Sequence, residues 1–178
     1  DWLNWNTAWW RGLDPDGDKK KWRYALWDMD ATFGHYINYT GVPNTTPSAD
    51  PCDPESLNDP GGQGHIPILN QLSNNETFVQ YYQSRFIDLT NTVFSCDNMH
   101  YLLDSLIEMI EPEMQRQIDR WGGTYAGWES NVQELKDFID DKCALFASGM
   151  IDCYNLTGPY DVTFIVEPED YGDRKSVV

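Results

Sequence analysis

The second half of the chain repeats apolar residues at the spacing of amphipathic helices. In these segments apolar positions recur every three or four residues, so each helix can turn one apolar face toward a core. No apolar run typical of a strand separates one segment from the next. The pattern predicts successive helices over residues 66–72, 76–94, 97–110, 112–121 and 129–150.

Residues that favour helix ends mark the boundaries of these helices. Asn74 or Asn75 is expected to cap the second helix, and Asp97 the third. Pro112 is expected to begin the fourth helix, and the pair Gly122-Gly123 to end it.

Two of the helices carry an apolar stripe that we expect to face the core. On the third helix the stripe consists of Leu102, Leu103, Leu106 and Ile110. On the last helix it consists of Val132, Leu135, Phe138, Ile139, Cys143 and Phe146.

The first part of the chain has a different pattern. Residues 7–11 and 21–27 are rich in aromatic and apolar side chains, and the segment between them is dense in turn formers, which predicts a β-hairpin. Residues 35–65 are rich in Pro, Gly, Asn and Asp and predict a long irregular loop, either functional or an idle surface insertion. A final strand is expected over residues 160–167. The predicted fold class is therefore α+β, mainly α.

Composition and charge exclude some classes of binding partner. The chain has 40% hydrophobic residues, as expected of a globular protein, and 12 basic against 29 acidic residues give a net charge of −17. This charge argues against binding nucleic acid or an anionic membrane, and it suits divalent cations. No apolar run approaches the roughly 20 residues of a membrane span. The oligomeric state is left open.

Four cysteines are present, and no two of them form a CxxC pair, which argues against a zinc site. We favour two disulfides, Cys143 with Cys153 and Cys52 with Cys96, as in an exported protein. Four buried free thiols are an equally weighted alternative.

Oxygen-bearing side chains flank the predicted hairpin on both sides. Asp1 and Asn6 precede it at the spacing of the Asp and Asn in a protein-kinase catalytic loop, and Asp28 and Asp30 follow it. Phosphoryl transfer needs one carboxylate to take a hydroxyl proton and others to hold a metal ion. Each residue alone also fits a helix cap, a loop or a strand-end turn, and the ordered set is what favours function.

The segment Trp27-Asp-Met-Asp-Ala-Thr-Phe-Gly34, together with residues 1–26, resembles the spore coat protein H (CotH) kinase family. These are secreted or surface-associated atypical protein kinases, and the resemblance is looser over residues 66–153. It implies that residues 1–157 are the C-terminal lobe of a protein-kinase-like fold, and that residues 158–178 begin a β-rich module or linker. The N-terminal lobe is then expected to lie outside a chain that opens at Asp1.

The resemblance also implies a site. Asp1 matches the catalytic Asp, and Asn6 and Asp28 match the residues that hold ATP through its Mg²⁺ or Mn²⁺. Asp30 is expected to add a second metal carboxylate. The implied substrate is a Ser or Thr hydroxyl of a protein. The Lys–Glu pair that positions the nucleotide and the phosphate-covering loop are not found, so the fragment alone is expected to be inactive.

Three alternatives stay open. Without the Lys the full protein would be a pseudokinase, and a surface structural or adhesive module with a decayed site is a related reading. Residues 28–32 also fit the DxDxT motif of haloacid-dehalogenase-like phosphatases, although that fold needs repeated βαβ units. A lone histidine is usually structural, so His35 and His65 are given no role.

Overall fold

The computed structural model describes residues 6–14, 16–17, 21–34, 41–158, 160, 163 and 165. The chain divides into two compact units, Asp1–Val79 and Gln80–Val178. In the described residues a two-stranded antiparallel sheet is followed by four α-helices, which confirms the mainly α, α+β prediction. The expected final strand falls largely outside the described residues. No helix in the described part of the chain is long and apolar enough to cross a membrane.

The first unit begins with the predicted hairpin. Strand β1 (Thr7–Trp10) pairs with β2 (Arg23–Leu26) in a register that sets Thr7 opposite Leu26 and Trp9 opposite Tyr24. In the connecting turn, the backbone N–H of Asp16 donates to a side-chain oxygen of Asp14 at 2.9 Å. This Asx turn accounts for the density of turn formers at this point.

The long loop after the hairpin is irregular, as predicted, and leads into a short helix. Its described part contains two 3₁₀ turns, Asp53–Ser56 and Pro60–Gly62. Helix α1 (His65–Leu72) follows Gly64, which has a φ of 82°. The backbone N–H of Gly64 donates to Oδ1 of Asp59 at 2.8 Å, and this bond holds the entry to the helix.

Three longer helices follow: α2 (Glu76–Asn91), α3 (Cys96–Trp121) and α4 (Tyr125–Tyr154). Asn75 caps α2, since its Oδ1 accepts from the backbone N–H of Phe78 at 3.1 Å. Thr124 caps α4 by accepting from Gly127 at 3.0 Å. The predicted end at Gly122-Gly123 is confirmed, because both glycines have a positive φ.

Two predictions about α3 are wrong. Its N-cap is Ser95, whose hydroxyl accepts from the backbone N–H of Asn98, and Asp97 lies in the first turn instead. Pro112 lies inside α3 and begins no new helix. A proline lacks only its own N–H, and on an exposed helix water can solvate the carbonyl that loses its donor, so the helix continues.

A disulfide joins two helices of the second unit. Cys96 at the start of α3 is bonded to Cys143 on α4, with 5.8 Å between their Cα atoms. The predicted pairings of Cys143 with Cys153 and of Cys52 with Cys96 are therefore wrong. The alternative of four free thiols is wrong as well, since no cysteine is free. Sequence spacing cannot show which cysteines an antiparallel helix pair brings together.

The apolar stripe predicted on α4 is confirmed, and the one on α3 is not. Ile139 on α4 is only 3% exposed, and the rest of its stripe is half-buried. In contrast, Leu102, Leu106 and Ile110 on α3 are 45–57% exposed, and of the four predicted residues only Leu103 is half-buried. The periodicity identifies residues that share a face, but the elements packed against that face decide its burial.

Candidate functional site

The hairpin brings two of the predicted site residues together. The register of the strands sets Asn6 opposite Trp27, and the backbone N–H of Trp27 donates to the carbonyl oxygen of Asn6 at 3.1 Å. The side chain of Asn6 then reaches one residue further, where its Nδ2 donates to the carbonyl oxygen of Asp28 at 2.9 Å. Residues that lie 22 positions apart in the sequence are therefore in direct contact.

This contact orients the amide of Asn6. Because Nδ2 is engaged by Asp28, Oδ1 is the atom of this side chain that could ligate a cation. Asn6 is only 8% exposed, so the amide is held within the fold. Carboxylate and amide oxygens are the hard ligands that Mg²⁺ and Mn²⁺ prefer.

Asp28 has an unusual backbone conformation for a residue other than glycine. Its φ is 52°, in the left-handed region, which Asp and Asn tolerate better than other side chains do. Such conformations occur preferentially at functional sites, where the surrounding bonds enforce them. The carbonyl oxygen of this same residue accepts the bond from Asn6.

The structure does not unite all four predicted residues. Asp30 is exposed, and within the described residues it makes no hydrogen bond to Asn6 or Asp28. Asp1 lies outside the described residues. In the described part of the chain no group of three or more His, Cys, Asp or Glu could hold a metal ion. Asn6 and Asp28 do carry an amide oxygen and a carboxylate, which are ligand types that Mg²⁺ accepts, and it usually takes one or two carboxylates and completes its shell with water and phosphate oxygens.

One residue at this end of the hairpin received no role from the sequence. His65, the first residue of α1, is 8% exposed and lies against both strands. Its Nε2 is 3.1 Å from Oγ1 of Thr7, and its Nδ1 is 3.0 Å from the hydroxyl of Tyr24. The sequence could not predict these contacts, because Thr7 and Tyr24 are both far from His65 along the chain. They become visible only in the folded structure.

A comparison with family models matches residues 1–145 of the 178-residue chain to the family described as CotH kinase protein. The chain belongs to the CotH kinase family. The match includes the hairpin, Asn6 and Asp28, and it extends into α4. Neither the curated proteins nor the solved structures gave any match.

Membership of the CotH kinase family agrees with the order of elements. After β2, the described residues contain helices and turns and no further strand. The DxDxT phosphatase alternative requires repeated βαβ units at this point, so the described residues argue against it. The chain is kinase-like, and the hairpin with Asn6 and Asp28 is its candidate site.

Proposed function

We propose that this chain is part of an atypical protein kinase that transfers the γ-phosphate of ATP to a Ser or Thr hydroxyl of a protein, with Mg²⁺ or Mn²⁺. The observation that carries the proposal is the hydrogen bond of 2.9 Å from Nδ2 of Asn6 to the main-chain carbonyl oxygen of Asp28, which makes the two residues neighbours. A kinase of this kind needs an amide oxygen and a carboxylate at one metal, supplied by the catalytic loop and by a following metal motif. The hairpin brings residues of both types together.

The proposed roles follow from the side-chain chemistry. Asp28 and Oδ1 of Asn6 would hold the metal, and Asp30 would either add a second carboxylate or orient the first. Bound there, the metal would supply positive charge that offsets the charge on the phosphates. Asp1 accepts the proton of the acceptor hydroxyl while the oxygen of that hydroxyl forms a bond to the γ-phosphorus. The bond from that phosphorus to the bridging oxygen breaks, and ADP leaves.

The disulfide indicates the kind of compartment in which this activity would take place. Cys96 and Cys143 are bonded, and disulfides persist in oxidising environments outside the cytosol. The family is named for a spore coat protein. We therefore propose that the protein is secreted or displayed at a surface, where its acceptor proteins would also be found.

Two variants of equal net charge test the metal site. Asp28→Asn removes a carboxylate and keeps a residue that tolerates the left-handed backbone, whereas Ala would add strain there. Asp141→Asn, on the exposed surface of α4, makes the same change of charge elsewhere. Metal-dependent transfer of labelled phosphate by the full-length protein should be lost in Asp28→Asn and kept in Asp141→Asn.

The same pair distinguishes the kinase from a module with a decayed site. We expect Mn²⁺ binding, measured by electron paramagnetic resonance, to weaken in Asp28→Asn and not in Asp141→Asn. Phosphate transfer that persists in Asp28→Asn would refute the assigned metal ligand. A folded full-length wild type that binds neither Mn²⁺ nor ATP would favour the pseudokinase or adhesive module.

A further inference from the structure

We propose that His65 is a positioning residue for the candidate metal site, holding Asn6 and Asp28 in register through Thr7 and Tyr24. The purpose of this arrangement rests on the proposed function. The contacts that carry it all lie within the Asp1–Val79 unit.

His65 contacts both strands through its two ring nitrogens. Nε2 is within hydrogen-bond distance of Thr7 Oγ1 at 3.1 Å and of Gln63 Oε1 at 3.2 Å. Nδ1 is within hydrogen-bond distance of the hydroxyl of Tyr24, at 3.0 Å, and the tautomer of the ring sets which atom donates in each contact. One buried ring thus satisfies a group on β1 and a group on β2.

The residues that His65 contacts are close to the candidate metal site, both along the sequence and within the hairpin. Thr7 directly follows Asn6 and is 7% exposed, so its hydroxyl depends on a protein partner. Tyr24 is two residues before Leu26, which pairs with Thr7. A shift of β1 against β2 would break the bonds of His65 and also the bond from Trp27 to Asn6. Residues that orient ligands in this way affect metal affinity without touching the metal.

Aromatic packing fixes the plane of the ring. The ring of Trp9 lies nearly parallel to that of His65, with centroids 6.2 Å apart. The ring of Tyr24 meets it edge-on at 5.4 Å. Phe at position 65 would keep this packing and lose the hydrogen bonds, so His65→Phe separates the polar contacts from the shape of the residue.

The test compares His65→Phe with His100→Phe, which makes the same change at a histidine in the Gln80–Val178 unit. Exchange of the Trp27 amide hydrogen, followed by NMR, reports the bond to Asn6. We expect this exchange to accelerate about tenfold in His65→Phe and to stay unchanged in His100→Phe. Thr7→Val, which replaces the hydroxyl with a methyl group of similar size, should have the same effect as His65→Phe and serves if that variant does not fold.

Metal binding provides the readout that a merely structural role would leave unchanged. The Mn²⁺ affinity of the folded chain should fall about tenfold or more in His65→Phe, as for other residues that orient ligands. His65→Gln keeps a donor toward Thr7 and should recover part of that loss.

An unchanged Trp27 exchange rate in both His65→Phe and Thr7→Val would overturn the inference. The inference would also be overturned if Asp28→Asn weakened Mn²⁺ binding and His65→Phe did not. That result would leave the proposed function intact. If the wild type binds no Mn²⁺, the proposed function fails, and the exchange rates alone decide whether His65 holds the pair.

Discussion

The disulfide between Cys96 and Cys143 should dominate the stability of the α3–α4 pair. It closes a loop of 47 residues. In the chain-entropy description, cross-linking a loop of this length destabilises the unfolded chain by about 4 kcal/mol. The same two helices are also joined by an ion pair from Lys136 to Asp104 at 2.7 Å and by a hydrogen bond between His100 and Asp140 at 2.6 Å. Their side chains are 27–64% exposed, so each pair contributes roughly 0–1 kcal/mol.

The perturbation is the double variant Cys96→Ala/Cys143→Ala, and the assay is urea unfolding followed by the helical circular-dichroism signal. We expect the free energy of unfolding to fall by about 4 kcal/mol. Asp104→Asn breaks only an ion pair and should cost less than about 1 kcal/mol. If the double variant lost no more than Asp104→Asn, the reasoning from loop closure would be refuted.

Two further predictions concern burial and pH. Ile139→Ala should lower the free energy of unfolding by about 2–5 kcal/mol, because Ile139 is 3% exposed. Leu106→Ala should change it by roughly 0.5 kcal/mol, because Leu106 is 57% exposed, and equal losses would contradict the assigned core. The hydrogen bond from the hydroxyl of Tyr125 to Glu111, with a smaller contribution from burial, raises the pKa of Tyr125 above 10.0. The stability that this bond contributes is complete below pH 10.0 and is lost as the pH rises through the higher folded pKa. Phenolate absorbance should show Glu111→Gln returning the pKa toward 10.0, and a Tyr125 pKa unaffected by Glu111→Gln would argue against this cause.

Local signals in the sequence were reliable where neighbouring residues decide the structure. The hairpin, the cap at Asn75 and the end of α3 at Gly122-Gly123 depend on interactions over a few residues, and all three were predicted. Pro112 shows where this approach fails. The cost of about 3 kcal/mol for an interior proline has to be weighed against the bonds and packing on both sides of it. The energy of those hydrogen bonds and of that packing depends on the whole helix and cannot be judged from the residues next to Pro112.

The sequence by itself determined the fold class, the family and the residue types of the candidate site. Periodicity and turn chemistry are local, and the motif Trp27-Asp-Met-Asp lies in one short segment. The tertiary structure decided that Asn6 meets Asp28, that Cys96 pairs with Cys143, and that His65 joins Thr7 to Tyr24. These contacts span between 22 and 58 positions. A side chain reaches a partner that far along the chain only when strand register and helix placement bring the two together, and neither residue carries that information alone.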